Sequence, residues 1–271
     1  MQFDSEKTLM LDGSRRCVVI GSSSVIGSRK EQQDTILTDK DYAYIQNKRV
    51  IATLCDGMGG LNGGAVASQI STAIIYQEFF KWQDVDNLPG FYTNVIPKID
   101  DEVFSLKNED GSPMKAGTTL VSVIIKEDQL YWASVGDSHI YIIRNGEILC
   151  ITEEHNYLKL LKEKVIRGEI TEEEMNSNPQ KEALISYIGM GGVKYIDINY
   201  KPFQLIEGDY IVLCSDGLYR TVEEKEMKSI IYSCGDDVNE AAKCLTDCAI
   251  NKGKKNQDNT SVVVIEFSTI G

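Results

Sequence analysis

Residues 117–152 read "GTTLVSVIIKEDQLYWASVGDSHIYIIRNGEILCIT", and the fold class turns on how this stretch is parsed. Apolar, β-branched and aromatic residues fill four runs, parted by turns at Glu127-Asp128, Gly136-Asp137 and Asn145-Gly146. Asn-Gly is a strong hairpin signal, because both central residues of that tight turn need positive φ. Turns this short cannot hold a crossover helix, so the runs read as antiparallel strands of a meander and not as βαβ units.

Working outward, "RCVVIGSSSV" (16–25) reads as a strand running into a Ser/Gly turn. "KRVIATLC" (48–55), "DINYKPFQLI" (197–206), "GDYIVLCSDGLY" (208–219) and "TSVVVIEF" (260–267) are also strand-like. Apolar residues recur at helical spacing over 65–80. A second helix is expected within 90–107, opening after Pro89-Gly90 and perturbed at Pro97. Residues 155–192 read as helical and charged, with a capping box at Thr171 and Glu174. "DVNEAAKCLTDCAINKG" (237–253) supplies a helix before the last strand. Helices grouped at 65–107 and 222–253 among runs of strands predict an α+β fold. Alternating strands mixed with fully apolar ones point to two antiparallel sheets packed face to face.

The chain has 271 residues, 42% hydrophobic and 25% charged, enough to bury a sizeable core. Its formal net charge of -13 leaves no basic footprint for nucleic acid and opposes anionic lipid. The start "MQFDSEKTLM" lacks the basic and apolar regions of a secretory leader, and no apolar stretch reaches the length of a membrane span. The seven cysteines form no C-x-x-C pair, and Cys17, Cys55 and Cys214 fall in strand-like runs as buried thiols. A reduced, cytoplasmic protein with no membrane partner is the expectation.

Five aspartates mark the tips of these strands. Asp56, Asp137 and Asp216 close the apolar runs of "ATLCDG", "ASVGDS" and "VLCSDG", while Asp34 and Asp258 precede strands in "RKEQQDTIL" and "KNQDNTSVVVI". Any one Asp-Gly is a turn former. Five at strand tips predict convergence, and converging carboxylates need cations or must stay protonated. Two histidines and no cysteine pair supply zinc, copper or iron poorly, whereas an all-oxygen shell suits Mg²⁺ or Mn²⁺. Glycine at position 57 would let a main-chain carbonyl approach such an ion. The loop "DGMGGLNGGAVAS" (56–68) has no lysine for a P-loop, no βαβ context for a dinucleotide and no alternating oxygen ligands for a calcium loop.

"RKEQQD", "DGMGG", "GTT", "VGDS", "SDGL" and "DNTSVVVI" occur in this order, and with them the chain resembles the metal-dependent type 2C serine/threonine protein phosphatases, particularly their bacterial branch. The resemblance runs from about residue 17 to 267. It implies a four-layer sandwich, two antiparallel sheets with helices on both outer sides. It also implies one catalytic domain over 1–271 with a flap insertion at about 155–192. A centre of two Mn²⁺ or Mg²⁺ ions would lie at one end of the sandwich. Asp56 would bridge the ions and the Gly57 carbonyl would bind one of them. Asp34, Asp216 and Asp258 would complete the shells directly or through water, and Asp137 would join Asp216 in holding a third, weaker ion. Arg29 would take the substrate phosphate through its guanidinium fork. Gln33 and Asn259 would support the site from behind. The implied reaction is hydrolysis of phosphoserine or phosphothreonine in proteins by a bridging water, with a metal-bound water as first proton donor and His155 as second. The implied partners are phosphoproteins and a cognate Ser/Thr kinase.

The sequence also departs from the family pattern. Met58 stands where eukaryotic members have histidine, Gln33 where many have glutamate, and His139 where arginine is usual. The arginine's salt bridge is thereby put in question. His155 fits a capping or packing residue as well as a proton donor. Two other function classes stay open: a non-catalytic phosphoprotein- or kinase-binding module of the same fold, and an acidic metal-binding regulatory module.

Overall fold

The computed structural model describes residues 9–11, 16–39, 49–59, 63–252 and 256–269. The leader reading of the first eight residues and the 60–62 part of the glycine-rich loop lie outside the described residues.

The first half of the chain runs β1 (Leu9–Leu11), β2 (Arg16–Val25), β3 (Asp34–Thr38), β4 (Arg49–Met58), α1 (Gly63–Lys81) and α2 (Leu88–Phe104). The strand-rich stretch gives β5 (Gly117–Thr118), β6 (Leu120–Lys126), β7 (Gln129–Val135), β8 (His139–Arg144) and β9 (Glu147–Cys150). Then come α3 (Tyr157–Ile166), α4 (Glu172–Ser177), β10 (Asp197–Ile198), β11 (Phe203–Gln204) and β12 (Asp209–Cys214). The chain closes with α5 (Asp216–Tyr219), α6 (Glu224–Ser233), α7 (Val238–Asn251) and β13 (Thr260–Thr269).

A six-stranded sheet has the order β1-β2-β13-β12-β8-β9, and a seven-stranded sheet the order β10-β7-β6-β4-β3 with β11 on β7 and β5 on β4. Paired strands are antiparallel throughout the described residues. Side chains alternate across each strand, and both faces are covered. On β4, Val50, Ala52 and Leu54 join the core between the sheets, while Ile51 and Cys55 join the core under α1 and α2. On β12, Ile211 and Leu213 face the other sheet, and Val212 and Cys214 pack with Met227, Ile231 and Leu245 of the outer helices. The strands therefore read as unbroken apolar runs, and the layers are helix, sheet, sheet, helix.

Several expectations are corrected. The meander is two hairpins in two sheets: β6 pairs β7, β8 pairs β9, and the chain crosses between sheets at Gly136-Asp137-Ser138. The serines of "GSSSV" are strand residues, paired to β13, with Ser24 Oγ bonded to Ser261 Oγ at 2.8 Å and Ser23 Oγ to Thr246 Oγ1 at 2.8 Å. Pairing with a central strand outweighs serine's weak strand preference. Helix α2 opens at Leu88, before Pro89-Gly90, because the Asn87 side chain accepts from the Gly90 N–H at 2.9 Å and proline fits the first turn. It continues through Pro97. Between 155 and 192 only α3 and α4 are helical, and the predicted Thr171–Glu174 capping box is present.

Candidate active site

Strand ends and crossings meet at one end of the sandwich around a cavity of about 650 Å³. Asp56, Asp137, Asp216 and Asp258 line it together with Arg29, Gln33, Gly57 and Asn259. Asp34 does not line it. That residue is 6% exposed and lies beneath, as the register partner of Asp56 across β3 and β4. Ser215 Oγ donates to Asp34 Oδ2 at 2.9 Å, and Asp34 Oδ1 has no hydrogen-bond partner among the described residues.

Each aspartate is set by backbone. Asp56 lies inside β4 and not in a loop after it. Its N–H donates to Thr119 Oγ1 at 3.0 Å, and its carbonyl accepts from the Thr119 N–H and Thr118 Oγ1, both at 2.8 Å. The "GTT" motif thus clamps the Asp56 backbone. The Gly57 N–H donates to the Gln33 carbonyl at 3.1 Å, which ties β4 to the residue before Asp34. The crossing between sheets brings Asp137 to the cavity, and Asp216 opens α5 directly after β12.

Asn259 joins the remaining segments. Its Oδ1 accepts from the Gln33 N–H at 2.8 Å, and its Nδ2 donates to the carbonyls of Ile26 at 2.9 Å and Glu31 at 3.0 Å. Gln33 Nε2 donates to Glu31 at 3.0 Å. Arg29 Nη2 stands 2.5 Å from Asp258 Oδ2, with its side chain 58% exposed at the cavity mouth. That bond and the charges of Asp258, Asp216 and Asp56 raise its pKa against the pull of burial.

The electrostatics are those of crowded anions. Burial pushes Asp34 up to about 6, opposed by hydroxyls of Ser261 and Ser215 and reinforced by Asp216 and Asp258. Asp137 is pushed up to about 6 by burial and then by Asp216. Asp56 rises well above the usual range, first through burial and then through Asp34, Asp216, Asp137 and Asp258. Such a set demands positive charge. Among the described residues no three acidic, His or Cys side chains are already gathered into a cage for one ion. Arginines balance part of the charge instead. Even so, buried carboxylates, an orphaned Asp34 Oδ1 and the absence of histidine or cysteine from the cavity wall fit hard divalent cations.

Sequence reasoning missed Arg220. Its guanidinium reaches Asp216 at 3.2 Å, Asp137 at 3.4 Å and Glu182 at 2.5 Å, joining the cavity to the 155–192 segment. A charge on a short helix after "SDGLY" gives no such signal. Ser215 was missed also, although it stands next to Asp216. His139 keeps an ion pair in place of the family arginine: Nε2 lies 3.0 Å from Glu154 Oε1, and the ring stacks on Tyr219 at 3.8 Å. Burial works against its charge, but hydrogen bonds to Cys150 and Glu154 prevail and raise it to about 9. His155 is 1% exposed and packs behind the crossing: its N–H donates to the Gly136 carbonyl at 2.8 Å and its Nδ1 accepts from the Gly136 N–H at 3.2 Å.

The family model described as Protein phosphatase 2C matches residues 24–263. A "Serine/threonine phosphatase stp" of Listeria innocua is 30% identical over 224 residues, 82% of this chain and 86% of that protein. The solved serine/threonine phosphatase of S. agalactiae superposes with a TM-score of 0.78 at 27% identity, covering 92% of this chain and 99% of that one. The PPM Ser-Thr phosphatase MsPP of Mycobacterium smegmatis, solved in complex with cacodylate, gives a TM-score of 0.69 at 26% identity, covering 91% and 97%.

Proposed function

The chain belongs to the protein phosphatase 2C family, and from that premise we propose that it hydrolyses phosphoserine and phosphothreonine in proteins at a centre of two Mn²⁺ or Mg²⁺ ions. The observation that carries this reading is the meeting of Asp56, Asp137, Asp216, Asp258 and Arg29 around one cavity, with Asp34 buried beneath. In the proposal the whole chain is one catalytic domain, and the 155–192 segment is its flap.

Asp56 and the Gly57 carbonyl would hold the pair of ions, with Asp216 and Asp258 beside them. Asp34, one layer down, would act through water. Asp137 and Asp216 would share a third, weaker ion, in competition with Arg220. Bound ions would supply Lewis-acid charge neutralisation and a water of lowered pKa. The chain's own part is orientation and charge. Thr118 and Thr119 fix the Asp56 backbone, and Asn259 fixes the segment before Asp34. Arg29 swings between Asp258 and the ester's non-bridging oxygens, giving two parallel N–H donors to a phosphate. His155 is buried, lies off the cavity wall and is pushed down to about 4 by burial and by Lys159, so it is neutral at pH 7 and does not protonate the leaving alkoxide. Cavity solvent delivers that proton.

Phosphoproteins are the substrates in this reading, and a cognate kinase is the proposed partner. Seven cysteines, all unpaired, support a reducing, cytoplasmic setting. Among the described residues no helix is long and apolar enough to cross a membrane.

The test is hydrolysis of p-nitrophenyl phosphate and a phosphothreonine peptide with Mn²⁺, with Mg²⁺ and with EDTA, comparing wild type with Asp216→Asn. Turnover abolished by both EDTA and the substitution supports the proposal. No turnover with either metal, in protein shown to be folded, would shift the reading to a non-catalytic binding module.

A further inference from the structure

Beside the acidic cavity lies a second one of about 710 Å³ with a different character. Phe104, Met114, Tyr187 and Met190 line it, and among the described residues Lys107 and Lys115 are its only charged ones. The two cavities share a wall, since Met58 and Gly59 border both. Met58 pairs with Gly117 across β4 and β5, three residues' span from Asp56 to the groove.

The groove is already built. Its outer wall is a self-bonded loop after α2, in which the Met114 N–H donates to the Leu106 carbonyl at 2.8 Å and the Asn108 N–H to the Ser112 carbonyl at 2.9 Å. The opposite wall is the end of the flap segment. Thr118 and Ile188 exchange two backbone bonds, of 3.0 and 2.9 Å. Asp100, 1% exposed on α2, accepts from the N–H groups of Gly189 at 2.6 Å, Met190 at 3.0 Å and Gly192 at 2.5 Å. Three donors on one buried carboxylate hold that turn in place. On the rim Phe104 is left 59% exposed. An exposed phenylalanine beside half-buried methionine and tyrosine side chains at a preformed groove is the composition of a surface that accepts varied apolar groups.

We propose that this groove is a substrate subsite, taking one large apolar side chain (Leu, Met or Phe) that lies within three residues of the phosphorylated residue. The inference rests on the phosphatase reading and names its substrate class. Continuity selects the occupant: an extended peptide advances about 3.3 Å per residue, so a chain with its phosphate among the aspartates runs past Met58 within roughly 7–10 Å. Charge agrees with this. On a chain of net charge -13, the two lysines at this groove favour an acidic residue next to the apolar one. The position at which the family's eukaryotic members carry histidine thus serves here as an apolar divider between phosphate site and side-chain site.

The experiment compares kcat/KM for phosphothreonine peptides carrying Leu or Ala at each of the three positions on either side, with p-nitrophenyl phosphate as the reference ester. Leu at one position should raise kcat/KM about tenfold over Ala, in line with burial of one such side chain. Met114→Glu should erase that preference and leave the reference ester unchanged. Lys107→Glu combined with Lys115→Glu, on exposed positions that do not threaten folding, should weaken peptides with an acidic neighbour. No Leu preference at any position, or one that survives Met114→Glu, would overturn the subsite while leaving the phosphatase reading intact. Failure to turn over any ester would overturn both. A wild-type dimer dissociated by Met114→Glu in sedimentation would reassign the groove to self-association and also overturn the proposal.

Discussion

Asp34 and Asp56 stand directly opposite one another in the antiparallel register of β3 and β4. Two carboxylates on neighbouring strands, Asp34 buried and Asp56 half-buried at the cavity wall, repel each other, and a protein keeps such a pair only with compensation. Part of it is visible in the Ser215 hydroxyl, which donates to Asp34 Oδ2. The remainder is the role proposed for the cations.

Arg29 is the phosphate ligand of this account, and its only ion pair among the described residues is with Asp258. Replacing it with Ala should lower kcat/KM for phosphate esters about 10–100-fold, chiefly through KM, since a charge-assisted bond is worth about 1.5–3 kcal/mol. Lysine should recover only part, lacking the planar fork. Steady-state kinetics on a phosphopeptide give the answer, and an unchanged KM would remove Arg29 from substrate binding.

Asn259 is 5% exposed and satisfies one donor and two acceptors of the backbone. Asn259→Ala should cost about 2–4 kcal/mol of stability in urea, because these groups stay buried without partners. Asn259→Asp should fail similarly, as a carboxylate cannot donate to the carbonyls of Ile26 and Glu31. A loss within about 0.5 kcal/mol would contradict the bridging role.

Gly57 is required by space. A Cβ there would stand 2.2 Å from the Gly64 carbonyl oxygen and 2.6 Å from that of Gln33. Gly57→Ala should destabilise the fold by about 3 kcal/mol and push β4 off α1. A thermal melt indistinguishable from wild type would show that the backbone yields there.

His155 makes a pH-dependent contribution. Its folded pKa, about 4, lies below the ordinary 6.5 because burial and Lys159 disfavour the cation. Between these values the unfolded chain binds a proton that the folded chain does not, so the contribution is complete above pH 6.5 and is lost as pH falls through 4. The stability difference between wild type and His155→Gln should shrink by up to about 3 kcal/mol from pH 7 to pH 4. Taking that difference cancels the opposite trend of the buried aspartates. A difference independent of pH would refute the assignment.

The aspartates were legible because each adjoins an apolar, strand-like run, and the ends of such runs are where a sandwich exposes backbone to a ligand. Their layering was not. Asp34 and Asp137 both read as strand-tip aspartates, yet one lies off the cavity wall and the other reaches it at a crossing between sheets. The crossing was hidden because β7 and β8 share the pattern of hairpin-linked strands, and only side-chain packing separates their sheets. Arg220 and Ser215 were invisible for a related reason. Their partners, Glu182 and Asp34, are distant in the chain, and nothing local marks a long-range bond.

The central claim is that these aspartates form a site for two divalent ions. Calorimetric titration of metal-free protein with Mn²⁺ tests it independently of turnover. The account predicts two ions per chain for wild type, with at least one lost in Asp56→Asn. No binding, or binding that Asp56→Asn leaves unchanged, would contradict it.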